Sequence, residues 1–478
     1  MFGYSFSVSF KLFNAMIKTT LIGHASMLIQ SKNTTILTDP VWFDYLWEDT
    51  NVLCPSINLD LDKIPPVDVL NISHRHQDHF DVRTLAYLKE NNSVLKPDVM
   101  ILVPKDDILI DVMKELGYDN IHPVDDFEPV RLQDVTLTPT PSCNEGDYYP
   151  EHGLLVHDGE VTIWNQVDTV VIPEIISYIH KLYGQVDFAH SRFLPLLEGS
   201  FSHHKSLNIP FEEYSSFLKV VGALRPKFVV PGSAAFRYRD ELAFLNHYSF
   251  PTTPDQFLAD LAEYCPEIKS STFYPGDVAH ITKEGVKIGK QSSEFVRVRE
   301  DDSHKVAFKP VLEVPPIKSM TGDPEQYENE MQIIREYLEN QFIEKLNSCE
   351  KLDGWRHWQT LYQLEVFGPN DESEIWSIDF RDEILKIHKG SLEKITLYEG
   401  ISSTELVCLI EGRTSWDFVG ISGCYRTFNN IYRVGKGAFE HFPAERDYPL
   451  PLLQAFPSDR KMDREKFMRD VRRWKGKA

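Results

Sequence analysis

The chain has 478 residues, 42% of them hydrophobic, which is enough to bury a large core in about two or three domains. Its formal net charge of −22 argues against nucleic acid as a partner, because phosphate backbones are bound through concentrated lysine and arginine. The sequence has no run of about 18 or more apolar residues that could span a bilayer, so a membrane partner is not expected. Six scattered cysteines without a Cys-x-x-Cys pair predict a cytoplasmic protein.

The first half of the chain alternates strand-like and helix-like segments. Apolar runs of strand length predict β-strands at 20–30, 34–40, 67–73, 100–104, 135–139, 161–167, 186–189 and 226–231. Helical spacing and helix-end signals predict helices at 82–89, 106–116 and 172–182. The alternation predicts one α/β domain over residues 17–282, preceded by an N-terminal extension at 1–16.

The composition changes in the second half. Residues 283–322 are charged and proline-bearing, which is typical of a linker. Asp323 then caps a predicted helix that has Pro324 at its first position. Apolar residues lie three or four positions apart on one face of this helix, at Met331, Ile334, Leu338 and Phe342. Further strands and a helix are predicted at 374–380, 395–399 and 403–411. Residues 323–478 are therefore predicted to form a C-terminal α+β domain.

A dense group of metal-ligating side chains follows the third predicted strand. His74, His76, Asp78 and His79 fall within six positions of a chain that has 17 histidines in all. Side chains alternate along an extended segment, so His74 and His76 project together, and a following turn can return Asp78 and His79 to the same point. Imidazole beside a carboxylate suits iron, manganese and zinc. The pattern predicts a site for two divalent metal ions, against the alternative of a histidine-rich polar loop.

This His-x-His-x-Asp-His pattern after a buried strand resembles the signature of the metallo-β-lactamase superfamily, and the opening strands are similar to those of its first sheet. The resemblance implies an αββα sandwich with the metals at the sheet edge and a later bridging aspartate. Asp168 fits that aspartate, because it stands at the carboxyl end of the predicted strand 161–167, where open sheets place ligands. Asp78 and Asp168 are accordingly the expected catalytic residues.

The resemblance can be narrowed to the CMP-N-acetylneuraminate hydroxylase group. The similar segments are 151–168, 225–234, 245–246, 273–278 and 416–426. That group implies an oxygenase that holds iron and receives electrons from a Rieske centre. This chain has no Cys-x-His with a downstream Cys-x-x-His, so it contains no Rieske cluster of its own. Electrons would come from a separate donor protein or from the substrate, or would not be needed.

The resemblance leaves two ligands open. Zinc hydrolases of this fold supply a further histidine after the 135–139 strand, whereas the loop here offers Glu151, with His152 and Glu145 as alternatives. A carboxylate ligand would favour iron or manganese over zinc. The superfamily's last histidine has no counterpart after the 226–231 strand, and the candidates for it are His190 and His247.

Other polar residues are expected around the metals. His24 and Asp39, on adjoining strands, could orient the metal-binding histidines by hydrogen bonds. Arg192 and Arg237 follow strand ends on the same side of the sheet and could hold a carboxylate or phosphate of the substrate. The resemblance also implies that the C-terminal domain closes the pocket through Arg413, Trp416 and Arg426.

We favour a non-haem di-iron oxygenase or hydroxylase that acts on a polar small molecule. The alternative is a dinuclear zinc or manganese hydrolase, in which a metal-bound water attacks an ester, lactone, amide or phosphodiester. A binding module with a structural metal is a third interpretation, but structural sites are usually closed by four protein ligands, often cysteines. The substrate and the oligomeric state stay open.

Overall fold

The computed structural model describes residues 16–47, 50–91, 93–144, 149–195, 197–203, 205, 207–306, 308–309, 315–441, 450–456 and 460–477. The first part of the chain is rich in strands. They are β1 (Ile17–Gly23), β2 (Ser26–Gln30), β3 (Thr35–Thr38), β4 (Tyr45–Leu46), β5 (Asn51–Leu53), β6 (Ser56–Leu59), β7 (Val67–Asn71), β8 (Leu95–Val103) and β9 (Ile121–Pro123). The helices are α1 (Val82–Glu90) and α2 (Asp107–Glu115), with a 3-10 turn at Leu61–Lys63. Each α-helix begins at an aspartate, Asp81 or Asp106, whose carboxylate accepts two backbone N–H groups of the first turn.

The middle part continues with strands and longer helices. Its strands are β10 (Val130–Leu132), β11 (Val135–Pro141), β12 (His152–His157), β13 (Thr162–Asn165), β14 (Phe188–Arg192), β15 (Phe228–Gly232), β16 (Phe236–Tyr238), β17 (Lys269–Ser270), β18 (Val278–Thr282), β19 (Gly285–Gly289) and β20 (Val296–Glu300). Its helices are α3 (Pro173–Tyr183), α4 (Glu198–Ser202), α5 (Phe211–Leu224) and α6 (Pro254–Tyr264), with 3-10 turns at Asp240–His247 and Ser303–Lys305. The predicted helices at 82–89, 106–116 and 172–182 thus correspond to α1, α2 and α3.

The last part forms a second group of elements. Its helices are α7 (Pro324–Tyr337), α8 (Ile343–Asn347), α9 (Leu352–His357), α10 (Ser403–Ile410), α11 (Trp416–Ile421), α12 (Pro451–Ala455) and α13 (Arg460–Trp474), with a π-helical turn at Leu338–Phe342. Its strands are β21 (Leu361–Phe367), β22 (Ser373–Asp379), β23 (Ile387–Lys389), β24 (Leu397–Ser402), β25 (Tyr425–Asn429), β26 (Tyr432–Gly435) and β27 (Ala438–His441). Asp323 caps α7 as predicted, its carboxylate accepting the backbone N–H of Glu325.

Two sheets pack face to face in the first part of the chain. One has the order β19-β18-β1-β2-β3-β7-β8-β9 and the other the order β10-β11-β12-β13-β14-β15-β17. Alternate residues such as Met27 and Ile29 of β2 meet Leu154 and Val156 of β12 in the core between the sheets. The intervening residues, such as Leu28, join a second core with buried residues of α1, α2, α3, α5 and α6. The layers are therefore helices, sheet, sheet and helices.

The two sheets carry parallel strands that end at the same edge. In the first sheet β3, β7 and β8 run parallel, and in the second β13, β14 and β15 run parallel. The loops after β7 and β13 are brought together at this edge, which is where the polar motif lies. The predicted strand 20–30 is two strands, because the chain reverses at Gly23–Ser26 and His24 takes a positive φ of 49° in the turn.

The C-terminal elements form their own core and then return to the first domain. The sheet β23-β22-β21-β24-β25 packs against α7 and α10, and the predicted apolar face of Met331, Ile334, Leu338 and Phe342 is fully buried there. Helix α13 leaves this core and packs on α1 and α2, where the rings of Phe467 and Phe80 lie 5.5 Å apart. Strands β19 and β20, which fall within the predicted linker, pair with β18 and β6 of the first part.

Candidate metal centre

The loop after β7 presents the His-x-His-x-Asp-His motif at the shared sheet edge. His79 and Phe80 donate their backbone N–H groups to the carbonyl of His76 at 2.9 and 2.7 Å, which closes a tight turn. This turn returns Asp78 and His79 to the side on which His74 lies. His74 and His79 are completely buried, and Asp78 is 7% exposed. The sequence folds in this way because the apolar strand β7 is anchored between two neighbours while the polar residues follow its end.

The structure brings the motif together with Asp168 and His24 in two overlapping groups. Within each group the candidate ligand atoms lie within 4.8 Å of one another, and the groups are His74, His79 and Asp168, and His24, Asp78 and His79. The Nε2 of His79 lies 3.3 Å from Asp168 Oδ2 and 3.9 Å from Asp78 Oδ2. His76 adjoins the first group, with its Nδ1 2.8 Å from Nε2 of His74. Two carboxylates and several imidazoles therefore converge on one small volume.

Asp39 and Ser73 fix the orientation of the two buried histidines. Asp39 Oδ2 accepts a hydrogen bond from His79 Nδ1 at 3.0 Å, so Nε2 of that ring is directed at the aspartates. Asp39 is itself held by the backbone N–H and the hydroxyl of Ser73, both at 2.7 Å. The Ser73 hydroxyl also lies 3.0 Å from Nδ1 of His74. A carboxylate behind a metal-binding histidine is the usual arrangement for orienting such a ring.

His24 is placed to orient Asp78 rather than to bind a metal itself. Its Nδ1 accepts the backbone N–H of Ala235 at 3.2 Å. A neutral imidazole that accepts at Nδ1 carries its proton on Nε2, and that nitrogen lies 3.1 Å from Asp78 Oδ2. His24 is therefore the donor to Asp78, which matches the orienting role expected for it.

Backbone strain is concentrated around these residues. His24, Asp39 and Val167, the residue before Asp168, have φ values of +49°, +36° and +50°. Positive φ is especially unfavourable for a β-branched residue such as Val167. Residues persist in such conformations where the surrounding structure holds them, and they cluster at functional sites.

The electrostatics of the cluster favour a bound cation. Burial, together with the nearby rings of His79 and His76, lowers the pKa of His74 well below its usual range, so this ring is neutral and its nitrogens can serve as ligands. Burial opposes ionisation of Asp168, but His79 outweighs it and holds the pKa of Asp168 well below its usual range. Burial likewise lowers the pKa of His79, yet Asp168 and Asp78 raise it well above its usual value. A divalent cation would supply the positive charge that these carboxylates otherwise draw from a proton on His79.

The donor set fits divalent metal ions. The Oδ1 of Asp78 is buried and has no hydrogen-bond partner among the described residues, so a bound cation would satisfy this carboxylate oxygen. Neutral imidazoles with ionised carboxylates suit iron, manganese and zinc alike. His74, His76, Asp78, His79 and Asp168 are the residues that would hold two such ions.

Glu151 and His152, the described residues among those proposed as a further ligand, belong to neither group. Glu151 is buried, and its Oε1 accepts a hydrogen bond from the hydroxyl of Ser142. The Nε2 of His152 lies 3.0 Å from the side-chain oxygen of Asn71 at the end of β7. Burial lowers the pKa of His152 to about 4. Glu145 lies outside the described residues.

The two candidates for the last ligand also lie outside both groups. His190 donates from Nδ1 to the side-chain oxygen of Asn165 at 2.9 Å, and burial lowers its pKa to about 3. Together with His24 it lines a cavity of about 370 Å³ behind the cluster. His247 ends the 3-10 turn Asp240–His247, and its carbonyl accepts the backbone N–H of Lys309.

The two substrate-binding candidates have different surroundings. Arg192 lies at the cluster, where its Nη1 donates to the backbone carbonyl of Asp168 at 3.1 Å. Its Nη2 is 3.4 Å from Glu213, so one edge of the guanidinium already has an acidic partner. Arg237 instead pairs with Asp302 and donates to the carbonyl of Tyr238, away from both metal-ligand groups.

Two aromatic residues at the centre were not predicted. The hydroxyl of Tyr149 contacts Nε2 of His76, and the ring of Trp47 lies 5.6 Å from the same imidazole. Tyr149 is 9% exposed and lies under the guanidinium of Arg75, 4.9 Å from its ring centre. Both residues lie in connecting segments without periodicity, so the sequence carried no signal for them beyond their aromatic character.

Comparison with known proteins agrees with this architecture. Residues 18–173 match the family described as a beta-lactamase superfamily domain. The matched residues make up about a third of the chain. The predicted fold class, an α/β metallo-β-lactamase sandwich, is confirmed. The closer resemblance to the CMP-N-acetylneuraminate hydroxylase group stays a prediction.

Curated relatives match over part of the chain. A protein of Mycolicibacterium smegmatis named "Putative Rieske 2Fe-2S iron-sulfur protein" is 31% identical over 179 residues, which are 36% of this chain and 33% of that protein. The 4-amino-L-phenylalanyl-[CmlP-peptidyl-carrier-protein] 3-hydroxylase of Streptomyces venezuelae is 28% identical over 171 residues, which are 35% and 32% of the two chains. The matched part thus spans about a third of the length of these relatives.

Solved structures are similar at low sequence identity. CmlA, a diiron β-hydroxylase from Streptomyces venezuelae, is 20% identical with a TM-score of 0.34, and the match covers 46% of this chain and 45% of that one. Igni18, a metallo hydrolase from Ignicoccus hospitalis, is 18% identical with a TM-score of 0.37, and the match covers 55% and 98%. Within the described residues, no helix is long and apolar enough to cross a membrane.

Proposed function

We propose that the protein is a dinuclear metal-dependent enzyme. The observation that carries this proposal is the set of candidate ligands around His79, with ionised Asp168 on one side and Asp78, oriented by His24, on the other. Asp168 is also the one of these carboxylates that reaches solvent, with 29% of its side chain exposed. A site closed by protein ligands would bury every donor, whereas this one opens where a substrate can approach.

We infer that the reaction is an oxidation and that the metal is iron. When bound, two irons would supply the activation of dioxygen for hydroxylation of a polar small molecule. Three observations support this choice over zinc chemistry. Oxygen donors lie near the motif, since buried Glu151 precedes His152, whose backbone N–H donates to the carbonyl of Ser73, and the Tyr149 hydroxyl contacts His76. One curated relative is named as a 3-hydroxylase, and another as a Rieske iron–sulfur protein.

The protein's own groups would prepare the site. Asp39 keeps the His79 ring turned toward the aspartates, and His24 holds one oxygen of Asp78 in place. Arg192 fixes the backbone of Asp168 and contributes positive charge that keeps its carboxylate ionised. We propose a separate protein as the source of the reducing electrons, with the substrate itself as the alternative source.

A zinc or manganese hydrolase is the second candidate. The observation that favours it is the predominance of imidazole nitrogen around Asp168, because the first group contains His74 and His79 and His76 adjoins it. In this case the metals would lower the pKa of a bound water, and the resulting hydroxide would attack an ester, lactone, amide or phosphodiester.

Metal analysis distinguishes the two candidates. We expect about two irons per chain by plasma mass spectrometry of untagged protein from iron-supplemented cells, with an absorption spectrum that changes on reduction and exposure to air. About two zincs with a featureless spectrum would refute the iron proposal. Asp168→Asn should lower the metal content and abolish oxygen-dependent spectral change, whereas Asp98→Asn, an exposed aspartate on β8, should leave both unchanged.

A further inference from the structure

A second cavity lies between the metal motif and the last helix of the chain. It has a volume of about 600 Å³ and is bounded by α1, α13, the segment around Trp47 and the end of α10. We call it the α1–α13 cavity. The residues that define it here are Trp47, Phe80, Arg83, Lys466, Arg469 and Arg473.

The wall of the α1–α13 cavity is strongly basic although the chain as a whole is acidic. The basic side chains among the described lining residues are Arg83, Arg413, Lys466, Arg469 and Arg473, and the acidic ones are Asp81 and Asp470. Asp81 is occupied as the cap of α1, where it accepts two backbone N–H groups and the hydroxyl of Thr84. In a chain with a net charge of −22, this local excess of positive charge needs an explanation.

Three of these basic residues, Arg83, Lys466 and Arg469, are buried or half-buried, whereas Arg413 and Arg473 are exposed. Lys466 is only 6% exposed, and the Nη2 of Arg469 is buried without a hydrogen-bond partner among the described residues. The guanidinium of Arg83 is stacked between Phe43 and Trp474, 3.8 and 4.7 Å from the ring centres. Lys466 has Asp470 as an acidic partner at 4.0 Å, but burying the Nη2 of Arg469 without a partner costs free energy, which an anionic ligand would offset.

The α1–α13 cavity adjoins the metal centre. Trp47 and Gln77 form part of its wall, and the Trp47 ring lies 5.6 Å from the ring of the candidate ligand His76. A molecule anchored among the arginines can therefore extend past Trp47 toward the exposed side of the cluster. The cavity is much larger than a single anion, so it can accept an apolar portion against Trp47 and Phe80 as well.

We propose that the α1–α13 cavity binds the phosphate group of a phosphorylated small molecule. Guanidinium groups match phosphate oxygens as bidentate donors, and the stacked Arg83 presents its N–H groups in a fixed orientation. Several arginines around one space suit a dianionic phosphate better than a carboxylate, which carries a single charge. The further claim that this phosphorylated ligand is also the substrate rests on the proposed enzymatic function. The claim that the cavity binds phosphate does not depend on it.

Calorimetric titration of the metal-loaded, full-length protein with phenyl phosphate tests this proposal. We expect saturable binding at about 50 mM salt that weakens as salt is raised, and benzoate should bind at least about tenfold more weakly. Arg469→Gln with Arg473→Gln should weaken phenyl phosphate binding at least about tenfold. The matched control, Arg131→Gln with Arg433→Gln, removes the same charge outside the cavity and should change affinity less than about twofold. If the double variant Arg469→Gln with Arg473→Gln does not fold, the single variant Arg473→Gln, at an exposed position, should also weaken phenyl phosphate binding.

A metal-site variant separates this proposal from the proposed function. Asp168→Asn should retain phenyl phosphate binding even when its metal content falls, because the arginines do not depend on the cluster. Loss of binding in Asp168→Asn with full binding in the arginine variants would mean that the probe sits on the metals, and would overturn the proposal. It would also be overturned if the wild-type protein shows no saturable binding, if benzoate binds equally well, or if both arginine pairs weaken binding equally.

Discussion

Arg75, which lies between His74 and His76 in the motif, forms a buried ion network that joins the metal loop to the last helix. Its Nη1 lies 3.2 Å from Asp106 at the start of α2, and its Nη2 lies 3.1 Å from Asp463 of α13. The exposed fractions of the side chains are 2% for Arg75, 1% for Asp106 and 10% for Asp463. Removing one partner of a buried ion pair leaves charge uncompensated and costs about 3–5 kcal/mol. We therefore expect Arg75→Met to lower the free energy of unfolding by about that amount.

Two measurements follow from this geometry. Urea unfolding of EDTA-treated protein should show the loss of stability without any contribution from metal. A double-mutant cycle with Asp463→Asn should give a coupling free energy of about 2 kcal/mol or more, because the second change costs little once Arg75 is gone. Metal affinity measured by titration should also fall about 10–100-fold in Arg75→Met, since His74 and His76 lose a neighbour that fixes their loop.

The control is a surface arginine that, like Arg75, pairs with an aspartate. Arg381 pairs with Asp379 at 2.5 Å, but 54% of its side chain is exposed, so Arg381→Met should cost less than about 1 kcal/mol. The reasoning is refuted if Arg75→Met costs no more than Arg381→Met, or if the effects of Arg75→Met and Asp463→Asn are additive. Either result would mean that desolvation of the network cancels its attraction.

Two other changes test features away from the cluster. Burial raises the pKa of Glu399 from 4.5 to about 7, so its contribution to stability is full below about pH 4.5 and is lost as the pH rises to 7, a loss of about 3 kcal/mol. Glu399→Gln should therefore flatten the pH dependence of urea unfolding in this window, and an unchanged slope would contradict the assignment. In Gly232→Ala the new Cβ would lie 2.4 Å from Nε2 of His190, so overpacking should lower stability by about 1–3 kcal/mol. Thermal unfolding should show this loss, while Gly199→Ala, with open space around its Cβ, should be close to neutral.

The sequence predicted the features that local pattern controls. Periodicity and end signals located α1, α2, α3 and α7 within a few residues, because aspartate caps and glycine ends act over a single turn. The ligand-rich loop after β7 was recognisable for the same reason, since His74 to His79 are neighbours in the chain. Asp168 was recognisable from its position at a strand end. The structure then places all of these residues within a few ångströms of one another.

What the sequence could not predict depends on contacts between distant segments. The role of His24 is set by the backbone N–H of Ala235, which determines the tautomer of the ring and hence whether it donates to Asp78 or binds a cation. No composition or spacing near His24 carries that information. Tyr149 is a similar case, because only the folded loop brings its hydroxyl to His76.

Helix α13 shows why such contacts matter for function. The predicted domain division assigns it to the C-terminal domain, yet it packs on α1 and α2 and supplies Asp463 to Arg75. The same helix supplies Arg469 and Arg473 to the α1–α13 cavity, two turns further along. Arg75 in turn lies in the loop after β7 that carries His74 and His76, so the helix is joined to the metal motif through this arginine. Breaking the contact between Arg75 and Asp463 should therefore loosen the docked helix and weaken both anion binding and metal binding, because both sites use this helix.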